Sequence, residues 1–482
     1  MMRRHLLILL VLTVLVRGWL MISYPIGATD DNQAAQHYLI DQILSGNFLI
    51  GNFRYQTGYP LVIAPIFALA RPFGQFDDRI ILLVQIALSA TIPFMVYDIL
   101  RKRRTPREAF VVALFVLFDP FGLQWAHFYL PEWWIAFCLI LGFWLIEQGL
   151  RRSRTLLWTG IAGIVLGVAS VARFNFAPMV AFLGLMLFLL RSLTLRKRLL
   201  MFATLGITSA LILVFYMILI QHPSTGTWEF SCISGINMLE GVADKGMTFR
   251  PENGAATTHY LDLESRYSAH EIDWTSDTYP EWRFDKPYAT PAELDAFNNN
   301  TIKQGVPVTN TNLIYFLGPC AADSLMHSVF VESVRAEPVR YVIGTLRVAA
   351  EEIVQLPTQD DPRYFPSPDQ LTPTGSRNIL GFERVRGWEY TGEWVWMPGV
   401  WLFSTLFPLW NLVKWLTPLA LIWTLLRGDW FYRATAVILV AGAVITAMVE
   451  APEARIYSWM YPLAPILIGG MVAALLRRWE RA

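Results

Sequence analysis

Long, uninterrupted apolar runs constrain the fold of this chain more than any other feature of its sequence. They recur at about 5–22, 80–100, 108–125, 130–149, 155–172, 175–190 and 198–220, and, after a polar stretch, at 409–426, 431–449 and 456–476. Each has the length that a helix needs to cross a bilayer with its own backbone hydrogen bonds satisfied, about 20 residues. The sequence therefore predicts an all-α polytopic membrane protein with about ten transmembrane helices.

The composition of the chain supports a membrane protein and gives no sign of a nucleic-acid partner or of a cysteine metal site. Charged residues make up only 16% of the chain, whereas soluble domains carry about 25%. A net charge of +1 gives no reason to expect a nucleic-acid partner. The cysteines Cys138, Cys232 and Cys320 show no metal or redox spacing. Cys232 and Cys320 lie in the long polar stretch, either as a disulfide or as two unrelated thiols.

Clusters of arginine and lysine predict how the helices are oriented. They lie at 3–4, 101–107, 151–154, 191–198, 427–433 and 477–481. Cytoplasmic loops carry such an excess, so these loops should lie inside and the alternate loops outside. The assignment holds only if the short apolar run at 59–71 makes no net crossing. The first apolar run follows a basic start without a small-residue cleavage site, which indicates an uncleaved anchor.

The spans divide the chain into three parts. Residues 1–220 form an N-terminal transmembrane core whose first outer loop is 23–58, residues 221–395 form an external soluble insert, and residues 396–482 carry the C-terminal transmembrane helices. The insert is too long and too mixed in composition to be a linker, so it should fold. The periodicity at 328–354 fits either an amphipathic helix on the membrane surface or an ordinary helix of the insert.

An adjacent acid pair, Asp30 and Asp31, stands just outside the first span, where a helix is expected to begin. Acids at such a place often only cap the helix and complement its dipole. Held at the membrane face, they can instead bind a metal or keep one carboxylate basic. Tyr38 follows seven or eight residues later, on the same helical face.

Two further acids stand near the outer turn at 124–131. Glu132 begins the span 130–149 after Pro131, either as a helix-start charge or as a functional acid. Asp119 lies inside the outer end of the preceding span. An acid at membrane depth costs at least about 2.5 kcal/mol unless it is paired or wet, so Asp119 should face a cavity or a partner.

Two arginines run against the charge bias of the outer side. Arg173 interrupts two spans at an outer turn, and Arg455 begins the last span. Each could hold a phosphate at the membrane surface with its guanidinium fork. The alternatives are an ion pair with a nearby acid or snorkelling to lipid headgroups.

The order of these motifs along the chain resembles that of a known family. The acid pair is followed by Gly58-Tyr59-Pro60, then by the later acid Glu132, and Arg455-Ile456-Tyr457 opens the last span ahead of two prolines. This order resembles the GT-C superfamily of membrane glycosyltransferases, especially the protein O-mannosyltransferases and the lipid A aminoarabinose transferases. It covers about 1–220 and 430–482. The pair is Asp-Asp rather than the commoner Asp-Glu, and Ile456 replaces a tyrosine, which leaves the substrate class open.

The resemblance implies a GT-C-like seven-helix core that moves a sugar from a polyprenyl-phosphate carrier to an acceptor hydroxyl, with inversion, on the outer face of the cell membrane. Asp30 or Asp31 would be the base, and Glu132 would bind sugar or acceptor. The residues expected to bind substrate are Tyr38, Tyr59, Asp119, Arg173, Arg455 and Tyr457. The resemblance fixes no cofactor, and Asp30, Asp31 and Glu132 could share a divalent ion such as Mg or Mn. The partners would be the lipid-linked donor, a protein, glycan or lipid acceptor, and membrane lipid.

Two other function classes remain open. A transporter or flippase for a lipid-linked or polar substrate would also place polar residues at membrane depth, but transporters usually carry internal repeats, and none is visible in this sequence. A binding or assembly protein that works through the external insert would not need acids at the outer membrane surface.

Overall fold

The structure is a computed structural model. It describes residues 2–23, 39–47, 58–72, 77–119, 122–123, 126, 131–225, 228, 234–268, 319–354, 372–377, 382–386, 391–396, 410, 412–449 and 460–480.

The membrane part of the described chain is helical. Its helices are α1 (Met2–Ser23), α2 (Gly58–Ala70), α3 (Asp77–Ala90), α4 (Ile92–Leu100), α5 (Pro106–Leu117), α6 (Pro131–Arg151), α7 (Thr155–Ala172), α8 (Ala177–Met186) and α9 (Leu195–Tyr216). After the insert come α15 (Thr417–Arg427), α16 (Trp430–Val449) and α17 (Leu463–Trp479).

The insert contributes helices and one small sheet. Its helices are α10 (His222–Thr225), α11 (Ser234–Asp244), α12 (Ala255–Ser268), α13 (Pro319–Ala336) and α14 (Pro338–Val354). The strands β1 (Thr372–Arg377), β2 (Phe382–Arg386) and β3 (Thr391–Trp396) form an antiparallel sheet in the order β1-β2-β3. The sequence analysis did not predict this sheet, although the molecule remains predominantly helical.

Helical segments occupy all ten of the predicted spans. Among the described residues, five are long and apolar enough to cross a membrane: Ile80–Leu100, Pro131–Arg151, Thr155–Ala172, Leu195–Gln221 and Trp430–Met448. The other five positions hold α1, α5, α8, α15 and α17. The chain is therefore a multi-pass membrane protein, as predicted, with several helices shorter than their apolar runs.

The basic clusters gather at one end of the helix bundle, where acids from other helices meet them. Glu147 of α6 contacts both Arg103 and Arg151. Arg104 pairs with Asp429 at 3.3 Å. Further ion pairs at this end are Arg151–Asp98, Arg107–Glu480 and Arg477–Glu108. We call this the basic end of the bundle and the opposite end the outer end, which the charge bias predicts to face outside.

Helix α2 lies at the outer end. Gly58 packs so closely on the Val171 carbonyl, near the last turn of α7, that a side chain there would collide with it. At its far end, Arg71 pairs with Asp41 at 2.5 Å, and Ile81 of α3 joins the same apolar cluster. Since α3 then runs inward past the outer turn, both ends of α2 stay at the outer end. With 13 residues, α2 is shorter than the about 20 residues that a helix needs to cross a bilayer, and the absence of a net crossing remains a prediction of the charge assignment.

The described part of the insert has a small core of its own, in which two carboxylates of α13 cap other helices. Asp323 accepts hydrogen bonds from the Gly235 amide at 2.6 Å and the Ser234 hydroxyl at 3.2 Å, at the start of α11. Glu332 accepts two from Thr257, at 2.8 Å each, at the start of α12. Burial alone would raise the pKa of Glu332, but these hydrogen bonds hold it below its usual value.

Candidate active site

The outer end holds an ion pair between two of the residues singled out in the sequence. Glu132 opens α6, and Arg173 follows the last residue of α7. Arg173 Nη1 donates to Glu132 Oε1 at 2.5 Å, and the Glu132 side chain is only 1% exposed. Of the alternatives for Arg173, the structure therefore shows the ion pair with an acid, and it supplies a partner that the sequence did not name.

The second carboxylate oxygen of Glu132 takes no part in this ion pair. Glu132 Oε2 is buried and accepts no hydrogen bond from any residue that the structure describes. A buried carboxylate oxygen without a donor is costly, because it has lost its hydration without replacement. The position therefore suits a hydroxyl, a water or a cation supplied by something other than the described side chains.

Tyr59 lies beside this pair and ties α2 to α6. Trp133, the residue after Glu132, donates its indole N–H to the Tyr59 hydroxyl at 2.9 Å, and both side chains are buried. The two rings also join an apolar cluster with residues of 39–43, α2 and α3. The structure thus places Tyr59 near Glu132, through the hydrogen bond with the neighbouring Trp133 rather than through direct contact between the two side chains.

Asp119 lies in a second polar cluster, centred on Gly122. It is fully buried, and its Oδ2 accepts the Gly122 amide at 3.1 Å. Arg17 of α1 donates to the Gly122 carbonyl at 3.3 Å, and the Tyr461 ring packs where a side chain of Gly122 would be. Lys414 Nζ lies 3.9 Å from Asp119 Oδ1. Of the two alternatives expected for Asp119, a cavity or a partner, the structure shows a partner.

Arg17 and Lys414 are the basic residues that the sequence analysis missed. Both are nearly fully buried, at 6% and 1% exposed. The sequence does contain a signal for both residues, because each is an isolated charge inside an apolar run. Charged residues in such runs usually face the protein interior and mark the path of a substrate or ion.

Five of the predicted site residues lie outside the described residues: Asp30, Asp31, Tyr38, Arg455 and Tyr457. Their placement remains a prediction, and so does the pairing of Cys232 with Cys320. The described residues contain no group of three or more histidine, cysteine or acidic side chains that could hold a metal ion. The metal set proposed from the sequence draws two of its three members from the first outer loop, so it too remains a prediction.

Comparison with known proteins identifies one part of the chain. Residues 59–220 match the family model described as dolichyl-phosphate-mannose-protein mannosyltransferase. The match begins at Tyr59 and includes Asp119, Glu132 and Arg173. No curated protein matches the chain.

Two solved structures are similar over almost the whole chain. The archaeal oligosaccharyltransferase AglB from Archaeoglobus fulgidus, in complex with an inhibitory peptide and a dolichol-phosphate, is 12% identical with a TM-score of 0.47, over 99% of this chain. The chain spans only 51% of the length of that protein. ArnT from Cupriavidus metallidurans, bound to undecaprenyl phosphate, is 13% identical with a TM-score of 0.37, over 98% of this chain and 78% of its own. Because both TM-scores are below 0.5, neither likeness bears on what this chain does.

The family match falls on the stretch that carries most of the resemblance seen in the sequence. It includes the Gly58-Tyr59-Pro60 stretch from its tyrosine onward, and the acid Glu132 at the outer end. Over residues 59–220, the chain is therefore similar to the dolichyl-phosphate-mannose-protein mannosyltransferases, in line with the resemblance seen in its sequence.

Proposed function

We propose that this protein transfers a sugar from a polyprenyl-phosphate-linked donor to an acceptor hydroxyl at the outer end of its helix bundle, by a single inverting displacement. The observation that carries the proposal is the buried Glu132 carboxylate, held by Arg173 through one oxygen and left with a second oxygen without a described donor. The family match over residues 59–220 supports the reaction class. The outer-face location rests on the charge bias of the loops.

The ion pair would orient Glu132 toward a substrate. Arg173 fixes Oε1, so Oε2 presents its lone pairs in one direction and can accept a hydrogen bond from a sugar or acceptor hydroxyl. The acceptor proton would go to Asp30 or Asp31, which the sequence places in the outer loop beside this end. If a divalent ion takes part, Glu132 Oε2 is the described atom that could join the acid pair as its ligand.

The leaving group of this reaction is a phosphate, on which negative charge increases as the bond to the anomeric carbon breaks. Fixed positive groups that face this charge stabilise the transition state. Arg455 remains the residue proposed for this role from the sequence. Arg17 and Lys414 are additional candidates for stabilising the phosphate, because the cluster around Gly122 contains these two basic side chains and one acid, Asp119.

The test is a transfer assay on purified protein in lipid nanodiscs, with a panel of labelled polyprenyl-phosphate sugars. Glu132→Gln should lower the transfer rate by about 10- to 100-fold, because a hydrogen bond to a charged group contributes about 1.5–3 kcal/mol. Asp30→Asn and Asp31→Asn should do so for whichever residue is the base. Glu147→Gln is the matched control, since Glu147 is a buried, arginine-paired acid of the same helix at the basic end.

Parent-like transfer by Glu132→Gln would contradict the proposed role of Glu132. Parent-like transfer by both aspartate variants would contradict the proposed base. An anomeric configuration retained in the product would contradict the single displacement. Loss of activity in EDTA, restored by Mg or Mn, would establish the metal requirement.

A flippase for a lipid-linked substrate is the second candidate, and the buried charges around Gly122 favour it. Arg17, Asp119 and Lys414 sit inside the helix bundle, where charged side chains often line the path of a polar headgroup. Proteoliposomes with a fluorescent polyprenyl-phosphate lipid distinguish the two functions. Reduction of the dye by impermeant dithionite should rise from the outer-leaflet fraction toward completeness only if the protein moves the lipid.

A further inference from the structure

Helix α14 presents three different faces around its axis. Four large apolar side chains are exposed and lie within an arc of about 100° of the helical wheel; they are Val339, Val342, Ile343 and Leu346. We call this the apolar face of α14. A helix of a soluble domain normally turns such a row into its core, because exposing it to water is unfavourable.

The opposite side of α14 is already occupied by the protein. Val348 and Ala349 are buried in the same apolar core as the transmembrane helices. Thr345 and Glu352, on the same side, are 5% exposed. The four residues of the apolar face are exposed and lie outside this core, whereas Ile353, further along the same side of the helix, packs against it.

A narrow charged strip lies beside the apolar face. Arg340, Arg347 and Glu351 fall within an arc of about 40° between the apolar and the buried sides. All three are at least half exposed, and Arg347 faces Glu351 across one turn at 3.8 Å. Long charged side chains at the edge of an apolar face can extend into water while the rest of the helix lies in a less polar layer.

The level of α14 along the bundle matches the membrane surface. The Tyr341 hydroxyl donates to the carbonyl of Met448, in the last turn of α16, at 3.2 Å. Met448 is also the last residue of the membrane span Trp430–Met448. The first turn of α14 thus lies at the outer end of a transmembrane helix, where the apolar core of a bilayer gives way to headgroups and water.

From these observations we infer that α14 is an interfacial helix whose apolar face enters the outer leaflet. The partner is the lipid surface itself: protein covers one side of the helix, lipid the apolar face, and water the charged strip. The contact continues the lipid-facing surface of α16 and fixes the described part of the insert at the height of the membrane. The inference is independent of the sugar transfer proposed above.

Two adjacent residues of α14 give a matched test. Leu346 and Arg347 are 56% and 58% exposed in the protein alone, but they lie on the apolar face and in the charged strip, respectively. In a Cys232→Ser/Cys320→Ser background, where only the buried Cys138 remains, Leu346→Cys and Arg347→Cys are each labelled with the environment-sensitive dye NBD. Labelled protein is placed in nanodiscs with or without brominated lipid, and iodide serves as the aqueous quencher. Val342→Cys and Glu351→Cys repeat the comparison one turn away.

The dye at 346 and 342 should show blue-shifted emission, should be quenched by brominated lipid and should be protected from iodide. The dye at 347 and 351 should show the reverse. Iodide quenching without lipid quenching at 346 and 342 would overturn the inference, because the face would then be in water. Protection from both quenchers at these positions would also overturn it, because protein rather than lipid would then cover the face. Monodisperse gel filtration of each labelled variant shows that it is folded.

Discussion

The charges of Glu132 and Arg173 should be coupled far more strongly than those of an exposed ion pair. Glu132 is 1% exposed and Arg173 16%, so little water screens the two charges. Two opposite charges about 4 Å apart attract each other by about 4 kcal/mol at an effective dielectric constant of about 20. Removing only one partner also leaves the other buried without compensation, and such changes typically cost about 3–5 kcal/mol.

The perturbation is therefore a double-mutant cycle. Glu132→Gln and Arg173→Gln should each lower the free energy of unfolding by about 3 kcal/mol. The double variant should lose clearly less than the sum of the two, because neither charge is then left alone. Unfolding by SDS in mixed micelles, followed by circular dichroism, measures the four free energies.

The exposed pair Arg266–Asp262 provides the control. Its side chains are 46% and 58% exposed and their charged atoms are 3.9 Å apart, so its coupling energy should not exceed about 0.5 kcal/mol. A coupling energy for Glu132–Arg173 as small as this would refute the reasoning. It would mean that water reaches the pair, and that the pair does not hold Glu132 in place for a substrate.

Three smaller changes test other parts of the structure. Tyr59→Phe removes the acceptor of the Trp133 indole N–H and should cost about 1–3 kcal/mol in SDS unfolding; a cost near zero would mean that the N–H finds another acceptor. Gly58→Ala should destabilise the protein more than a typical surface substitution, because the new side chain would collide with the backbone carbonyl near the end of α7; an unchanged unfolding curve would contradict this close contact. The lowered pKa of Glu332 means that its hydrogen bonds to Thr257 stabilise α12 fully above the unfolded-state pKa of about 4.3, and that this stabilisation is lost as pH falls through the lower folded-state pKa. Below this range, amide hydrogen exchange in α12 should therefore become faster than the intrinsic pH dependence of exchange predicts. Glu332→Gln should abolish this additional exchange. Equal additional exchange in the parent protein and the variant would exclude Glu332 as its source.

The sequence predicted the membrane part well because apolar length and basic loops depend on local composition. It overestimated the lengths of several helices, because hydropathy does not reveal where an apolar segment leaves the helical conformation. Helix α5 ends at Leu117, ahead of the buried Asp119 that binds the Gly122 amide. Helix α15 begins only at Thr417, with a proline in its first turn. Apolar side chains continue past both ends, so a hydropathy reading extends the helices through turns.

The partners in the candidate site were harder to predict, because they depend on contacts between distant segments. The types of residue were recognised, but nothing local indicates that Arg173 meets Glu132 or that Lys414 meets Asp119. The sheet β1-β2-β3 was missed for a different reason. Its strands contain proline, glycine and several charges, and such residues are uncommon in strands and give no clear alternation.

The ion pairs at the basic end have a consequence for the order of events during biosynthesis. Arg104 and Arg107 bind Asp429 and Glu480, which lie more than 300 residues further along the chain and are therefore synthesised later. When the loop at 101–107 reaches the membrane, these acids do not yet exist, so its arginines are still free to direct orientation. The same guanidinium groups would then act twice, first as a signal for insertion and later as partners in ion pairs that join α5 to the segments around α16 and α17. A charge reversal in this loop would therefore disturb topology before it disturbed stability.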